Sequence, residues 1–441
     1  MTNNRSIGRA ACETAAPQMV RSRLLYGVNE ATGWRHFAAG PRRDEIGNRL
    51  RAIGTRIIRI YVPDPYTPNP VKDWPAFARY VEAVLGAGAT PMITLPRFRP
   101  PFDNVAVLRW FAQRCGELVW SCIEQWGGDV VREWYWCIWN EPNSAWLNPG
   151  LDFDHYRRIY IEVASEMQRW LEPYSKDRRI LIGGPALDTF QPFWQDWLWR
   201  FVHEIDDSLI GFVLWHRFGE WRAPGEWSAP RQQDVFLDLL MSRSSGYADT
   251  AAIVGDLVRD RGILNICGRL NANAHVERRA SHCNQTLFGA VYYALALVNL
   301  MRAGADAELF WMGTDPGGPH GLWDKEGRAT PAFRAKQLIV QTIQPGDEIL
   351  IEESGTRPGE LVLVRVRRQE GESVTFIVHS APRRQSYRLA DLTGGASPKA
   401  AIRQLDEATP PQEVATSYIA ENISFDGLGI AVVTGDVSVL A

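Results

Sequence analysis

Tyr135-Trp136-Cys137-Ile138-Trp139-Asn140-Glu141-Pro142-Asn143 is the stretch that decides how this chain is read. From Trp134 to Trp139 every residue is aromatic, β-branched or cysteine, the composition of a short strand buried on both faces. The run stops abruptly at Asn-Glu-Pro-Asn. Proline cannot continue a β-ladder and restricts the residue before it, so Glu141 is expected in an extended or turn conformation. A carboxylate is thereby delivered to the carboxyl end of a buried strand, which in a parallel barrel is the end where active sites lie.

Outward from this stretch, short β-branched runs alternate with amphipathic segments. Leu24 to Asn29, Arg56 to Val62, Pro91 to Leu95, Ile180 to Gly184, Ile210 to His216, Ile263 to Leu270 and Ala307 to Met312 read as seven further strands. Between them, apolar residues at helical spacing predict helices over 43–52, 74–85, 105–126, 152–171, 193–205, 234–260 and 286–301, with a last one over 331–341. Gly86-Ala87-Gly88 and Gly127-Gly128 are helix stops. Eight strands alternating with helices predict an α/β protein, a (β/α)₈ barrel over 23–342 in which the opening stretch is the fourth strand.

Beyond about Gln344 the pattern becomes short alternating runs, 361–366, 373–378, 386–389, 430–433 and 437–440, separated by turn residues. This predicts a small antiparallel β domain of sandwich type over 343–441. Residues 1–22 read as a polar tail, from which a strand could join that domain.

Composition excludes several classes. A net charge of −3 gives no reason for a nucleic-acid or anionic-membrane partner. No window reaches the length of a membrane span, and Met1 to Gln18 has no apolar signal core. That favours a cytoplasmic protein, although a mature secreted chain would read the same. The six cysteines are scattered without a C-x-x-C pair, and no H-E-x-x-H or phosphate loop occurs, so no metal or cofactor is expected. The high tryptophan count, 18, suits core packing and stacking on sugar rings.

Glu141, flanked by Asn140 and Pro142 and with three Trp close by in sequence, is the first catalytic candidate. An apolar, aromatic surround is expected to raise its pKa and fit it to donate a proton to a leaving oxygen. Asn140-Glu141-Pro142 at the end of a fourth barrel strand resembles the Asn-Glu-Pro clan of retaining glycoside hydrolases, in which this glutamate is the acid/base. Gly27-Val28-Asn29, Arg59, Gly183-Gly184-Pro185-Ala186, His216, Trp311, Asp315, Gly321-Leu322 and Thr330-Pro331-Ala332-Phe333 extend the likeness to glycoside hydrolase family 39, which includes β-xylosidases and α-L-iduronidases. The resemblance spans roughly Leu24 to Gln341. It implies a carbohydrate substrate, no cofactor, Glu141 as acid/base, and Asn29, Arg59, Asn140, His216, Trp311 and Asp315 as supporting or sugar-binding residues. The loop tryptophans Trp146, Trp221 and Trp227 are further candidates for a binding cleft, and Trp139 and Trp215 are strand-end candidates that packing explains equally well.

Retention requires a second carboxylate, the nucleophile, about 5–5.5 Å from the first. The resemblance places it at the end of strand seven, where this chain has Cys267-Gly268-Arg269-Leu270-Asn271. Arginine is cationic and cannot attack a sugar. Phe218 likewise stands where the family has Tyr. Three explanations compete: an inactivated hydrolase, a natural glycan-binding pseudoenzyme, or a substitute carboxylate among Glu220, Glu226, Glu277 and Asp315. The intact surroundings of Glu141 favour the first. Arg269 could also pair with Glu141 across the pocket, which would lower the pKa of the glutamate and disable it as an acid.

Overall fold

The computed structural model describes residues 16–30, 37–62, 73–176, 178–222, 237–277, 280–315, 317–324, 326–355, 359–367, 373–393, 401–410, 413–418 and 421–434. A first strand, β1 (Gln18–Arg21), precedes a closed parallel barrel of eight strands: β2 (Leu25–Asn29), β3 (Ile57–Tyr61), β4 (Thr90–Thr94), β5 (Tyr135–Cys137), β6 (Ile182–Asp188), β7 (Phe212–Glu220), β8 (Leu264–Asn273) and β9 (Ala307–Phe310). β9 pairs with β2 and closes the ring. The helices packed around it are α1 (Arg43–Ala52), α2 (Trp74–Gly86), α3 (Val105–Trp126), α4 (Phe153–Leu171), α5 (Trp194–Glu204), α6 (Gly246–Val258), α7 (Leu287–Arg302) and α8 (Pro331–Thr342). The α/β barrel predicted from the sequence is therefore the fold observed. Strands β6 and β7 run four residues past their predicted ends and β8 three.

Local chemistry sets the helix starts. Asp73, Asn104, Asp152 and Thr330 each accept a backbone N–H in the first turn of the helix that follows, at 3.3, 3.1, 2.8 and 3.4 Å, satisfying donors that would otherwise be orphaned. Gly127, at φ +86°, ends α3. Among the described residues no helix is long and apolar enough to cross a membrane.

Alternation along the strands divides the core. Ile57, Met92, Tyr135, Phe212, Leu214, Ile266, Ala307 and Leu309 fill the barrel interior. Ile58, Ile60, Ile93, Trp136, Val213, Trp215 and Phe310 point outward to the helices. Along the same inward face, beyond the apolar layer, the side chains become polar, and there the site begins.

The carboxyl-terminal region continues with β10 (Glu348–Ser354), β11 (Leu361–Arg367), β12 (Ser373–His379), β13 (Arg384–Arg388), β14 (Ala401–Asp406), β15 (Ala415–Tyr418), β16 (Asn422–Asp426) and β17 (Gly429–Thr434). Seven strands form one antiparallel sheet in the order β1-β10-β11-β12-β17-β14-β15, and β13 pairs with β16. Part of the predicted polar tail thus supplies an edge strand, with Gln18 opposite Ile351. One face of this sheet, with Val364, Phe376 and Val432, is continuous with the barrel core. The other, with Ile377, Ile402 and Val433, packs on Leu389, Ile423 and Phe425. The predicted run 437–440 lies outside the described residues.

Outside the barrel ring, Lys336 of α8 is fully buried against Glu308 of β9, and its Nζ also donates to Gly27 O at 3.0 Å and Tyr293 Oη at 2.8 Å. Removing one partner of such a pair leaves a buried charge uncompensated. Lys336→Ala is expected to destabilise the fold by about 3–5 kcal/mol, read as the shift in denaturant unfolding. A loss below about 1 kcal/mol would show that the pair does not hold β2 and β9 to α8.

Candidate active site

The polar floor is built by positions two residues beyond the apolar layer: Arg59 after Ile57, Thr94 after Met92, Cys137 after Tyr135 and His216 after Leu214. Arg59 is fully buried. Its Nε donates to Thr94 Oγ1 at 2.9 Å, Nη1 to His216 Nε2 at 2.8 Å and Nη2 to Asn140 Oδ1 at 3.0 Å. An arginine can only donate, so Nε2 of His216 must accept and the imidazole proton lies on Nδ1. Nδ1–H then donates to Glu141 Oε1 at 2.6 Å. Burial pushes the His216 pKa down to about 3 against the pull of Glu141, so the ring is neutral and its tautomer is set by Arg59.

Glu141 is held from behind. Its backbone adopts φ +54°, a left-handed turn in place of the extended alternative, which a non-glycine residue occupies only when its surroundings enforce it. The surroundings are hydrogen bonds: Glu141 N–H to Ala186 O at 3.0 Å, Ser144 N–H to Glu141 O at 3.1 Å and Asn148 Nδ2 to Glu141 O at 2.6 Å. Asn148 in turn accepts from Trp139 Nε1 at 3.1 Å. Asn143 bonds both backbone groups of Asp188, at 2.9 and 3.1 Å, and so ties the turn to the end of β6.

Arg269 faces this carboxylate. Strict alternation from inward Ile266 would turn Gly268 in and Arg269 out. A bulge in β8 reverses this: Trp215 pairs with Cys267, but the next residue, His216, pairs with Arg269. A Cβ at Gly268 would fall 2.3 Å from Leu214 Cδ1, so glycine permits the close approach. Arg269 Nη1 donates to Glu141 Oε1 at 3.0 Å, Nη2 to Tyr61 Oη at 2.8 Å, and Cζ lies 4.0 Å from the ring centroid of Trp311. Tyr61 Oη continues to Asn140 Oδ1 at 3.3 Å.

Of the two expectations for Glu141, a pKa raised by its aromatic surround and one lowered by pairing with Arg269, this arrangement corrects the first and bears out the second. Burial does push it upward, but the charge of Arg269, the His216 hydrogen bond and the charge of Arg59 outweigh burial and bring it down to about 2. The aromatic surround was legible; the cation inside it reverses the sign. Glu141 is therefore an ionised partner of Arg269.

The other predicted residues divide. Arg59, Asn140, His216, Glu141, Arg269 and Trp311 meet at one place. Asn29 does not offer its amide to the pocket, because Nδ2 is spent on Gly268 O at 2.7 Å and Leu309 O at 3.1 Å. Asp315 holds its own loop, accepting His320 N–H at 3.0 Å. Trp139 and Trp215 are buried packing residues, Trp215 donating to Asn265 Oδ1 at 2.8 Å. Trp146 and Trp221 are 87% and 60% exposed, on the loops after β5 and β7. Glu226 and Trp227 lie outside the described residues. Among the substitute nucleophiles, Glu220 is buried and engaged by Arg222 Nη2 at 2.6 Å and Arg243 Nη1 at 3.0 Å. Glu277 is exposed. Phe218 is buried, in register with Asn271.

Four contributors escaped the sequence reading. Tyr61 carried a signal, since it lies two residues past Arg59 on the same strand face. Asp188 did not, because Pro185 reads as the end of a strand that in fact bulges at Ala186 (φ +57°) and continues, bringing Asp188 level with His216. Asn148 acts through a loop contact, and Thr94 through its hydroxyl. Glu30, one residue beyond Asn29, is a further buried carboxylate. Burial pushes its pKa up to about 8, and its Oε1 accepts from Thr314 Oγ1 at 3.1 Å and not from the Glu141 network. Among the described residues no group of three or more His, Cys, Asp or Glu could hold a metal ion.

The fold and site together define a (β/α)₈ barrel with a carboxylate at the end of its fourth strand, flanked by Asn140 and supported by Arg59 and His216 from the second and sixth barrel strands. No protein-family model matches the sequence, and no curated protein resembles it. Solved structures do. A GH39 β-xylosidase from Caulobacter crescentus superposes with a TM-score of 0.62 at 15% identity, covering 96% of this chain and 98% of that one. An α-L-arabinofuranosidase from Thermotoga maritima gives 0.62 at 15%, covering 94% and 97%. A family 30 xylanase from Clostridium acetobutylicum gives 0.60 at 13%, covering 95% and 97%. Both barrel and β domain are shared along the whole chain, and the likeness is one of fold.

A carboxylate whose folded pKa is depressed stabilises the protein above its unfolded pKa, and that stability is lost as pH falls through the folded value. For Glu141, a fall from 4.5 to about 2 corresponds to roughly 3 kcal/mol. Unfolding free energy is expected to drop by this order between about pH 4.5 and pH 2 on account of this group, measured by denaturant titration across that range. In Arg269→Met the largest of the influences that lower the Glu141 pKa is removed, and this contribution to the acid limb is expected to shrink. Identical acid limbs in the two proteins would refute the ion pair.

Proposed function

We propose that this chain is a family 39-like member of the retaining glycoside hydrolase clan, that it binds carbohydrate at the barrel mouth, and that it does not cleave it by double displacement. The observation that carries this reading is the ion pair between Arg269 Nη1 and Glu141 Oε1 at 3.0 Å. Retaining hydrolysis needs an acid that can lose a proton to the leaving group and, about 5–5.5 Å away, a carboxylate that can attack. Arg269 occupies the place of the second and ionises the first. The support around Glu141 is otherwise complete: Arg59 orients His216, His216 orients the carboxylate, and Asn140 turns its carbonyl oxygen to Arg59 and Tyr61, which directs its amide nitrogen away from them and toward a ligand.

In this reading Trp146 and Trp221 stack on sugar rings at the rim. Exposed tryptophan is otherwise costly, and a broad apolar face with one N–H matches the alternating apolar and polar faces of a pyranose. Trp311 serves indirectly, as the surface on which Arg269 lies.

Arg269→Glu is the test of the architecture. It places a carboxylate opposite Glu141 and removes the cation that holds Glu141 ionised. We expect hydrolysis of aryl glycosides with net retention in Arg269→Glu, or in Arg269→Glu combined with Phe218→Tyr, raised on the order of 10²-fold or more over the unaltered chain. Retaining hydrolysis by the unaltered chain would sink the proposal. So would failure of both variants to turn over any glycoside that calorimetry shows to bind.

A further inference from the structure

Large apolar side chains left in water are unevenly spread over this molecule. Among the described residues thirteen are exposed, and seven of these lie on the loops and helix starts that follow β4, β5, β6, β7 and β8, at the carboxyl end of the barrel. Trp146 and Trp221 have a place in the carbohydrate reading. Three of the other five are valines, Val105, Val107 and Val276, and a valine offers a sugar ring neither a flat face nor a hydrogen bond. The remaining two are Phe190 and Phe193. Trp110 and Trp199, also exposed, continue the apolar surface one turn further along α3 and α5.

Phe193 is the least expected of them. It immediately precedes α5, is 78% exposed, has a left-handed backbone at φ +65°, and its side chain makes no capping hydrogen bond. Asparagine would suit that position on every count, since it tolerates the left-handed region, caps a helix and is at ease in water. Phenylalanine is unfavourable in all three respects, so its use lies outside the chain. The β domain packs on α7 and α8, so it is not what covers α3 and α5.

The exposed side chains are separate points on five loops around a polar mouth, whereas a protein partner or a second copy fits one contiguous apolar patch. Aromatic side chains at such tips settle in the headgroup layer of a bilayer. Exposed charges of both signs stand between them, Arg99, Arg109 and Arg222 with Asp103, Asp196 and Glu277. Among the described residues of these loops there is thus no purely basic cluster of the kind that selects anionic lipid. No helix of the described residues could span the bilayer, so the contact would be peripheral.

We infer that the carboxyl end of the barrel docks on the surface of a zwitterionic lipid bilayer, with Phe193, Val276 and the Val105 to Val107 turn entering the headgroup layer and the mouth facing it. The docking does not depend on what the mouth holds. It therefore stands apart from the carbohydrate-binding reading.

Flotation of the full chain with phosphatidylcholine vesicles tests this. The chain is expected to rise with the vesicles, in low salt and in high salt alike. Phe193→Asn discriminates a docking role from a structural one, because asparagine suits the backbone and the cap. Its thermal unfolding temperature is expected to be unchanged or higher, while its partition onto vesicles falls on the order of tenfold. Phe193→Asn combined with Val276→Asn is expected to fall further. Failure of the unaltered chain to float with phosphatidylcholine overturns the inference. So does binding confined to phosphatidylserine vesicles and lost in high salt, or flotation that the double variant leaves unchanged. A dimer in sedimentation velocity that Phe193→Asn dissolves overturns it in favour of a second copy of this chain.

Discussion

Closure of eight parallel strands into a barrel leaves an inward-facing side chain two options. It can be apolar and fill the interior, or it can be polar and fully hydrogen-bonded, because water does not reach it. This constraint organises the protein. Below, Ile57, Met92, Tyr135 and Leu214 fill the interior. Above them the same strands present Arg59, Thr94, Cys137 and His216, and each finds its partner in another of the set. The donor-only chemistry of Arg59 then propagates: it fixes the His216 tautomer, and the tautomer presents an N–H to Glu141. A proton position at the mouth is thus decided by a guanidinium two contacts away.

On this floor the identity of one side chain sets the role of another. Glu141 sits in the apolar, strand-end environment that raises a carboxylate pKa, and burial acts on it in that sense. Arg269, 3.0 Å away, more than cancels the effect. The same backbone geometry, the left-handed turn clipped by Ala186, Ser144 and Asn148, would serve a general acid; with Arg269 opposite, it serves an ion pair.

The β domain is not a loose appendage. One face of its main sheet shares the barrel's core, and β1, which precedes the first barrel strand, forms the edge of that sheet. From β1 in this sheet the chain passes through the barrel and returns to the sheet at β10. The buried Lys336 and Glu308 lie on the barrel side of this junction, joining β2, β9 and α8, the elements at which the barrel closes on itself.

The sequence alone determined the architecture and half of the site. Periodicity of 2 and 3.6, caps and glycine stops are local signals, and barrel order follows from their alternation. Glu141 was legible because Pro142 ends its strand, and Arg59 and His216 through the resemblance of their segments to a known family. What it could not decide was direction. Alternation by itself turns Arg269 away from the pocket, and Pro185 reads as the end of β6 before Asp188; β-bulges at Gly268 and Ala186 reverse both, and a bulge depends on which residue of a neighbouring strand lies opposite. The pKa of Glu141 depends on the same fact, since its sign is set by a charge 128 positions away in the chain. Strand composition is written locally, whereas register between strands, and the electric field at a strand end, exist only once the barrel has closed.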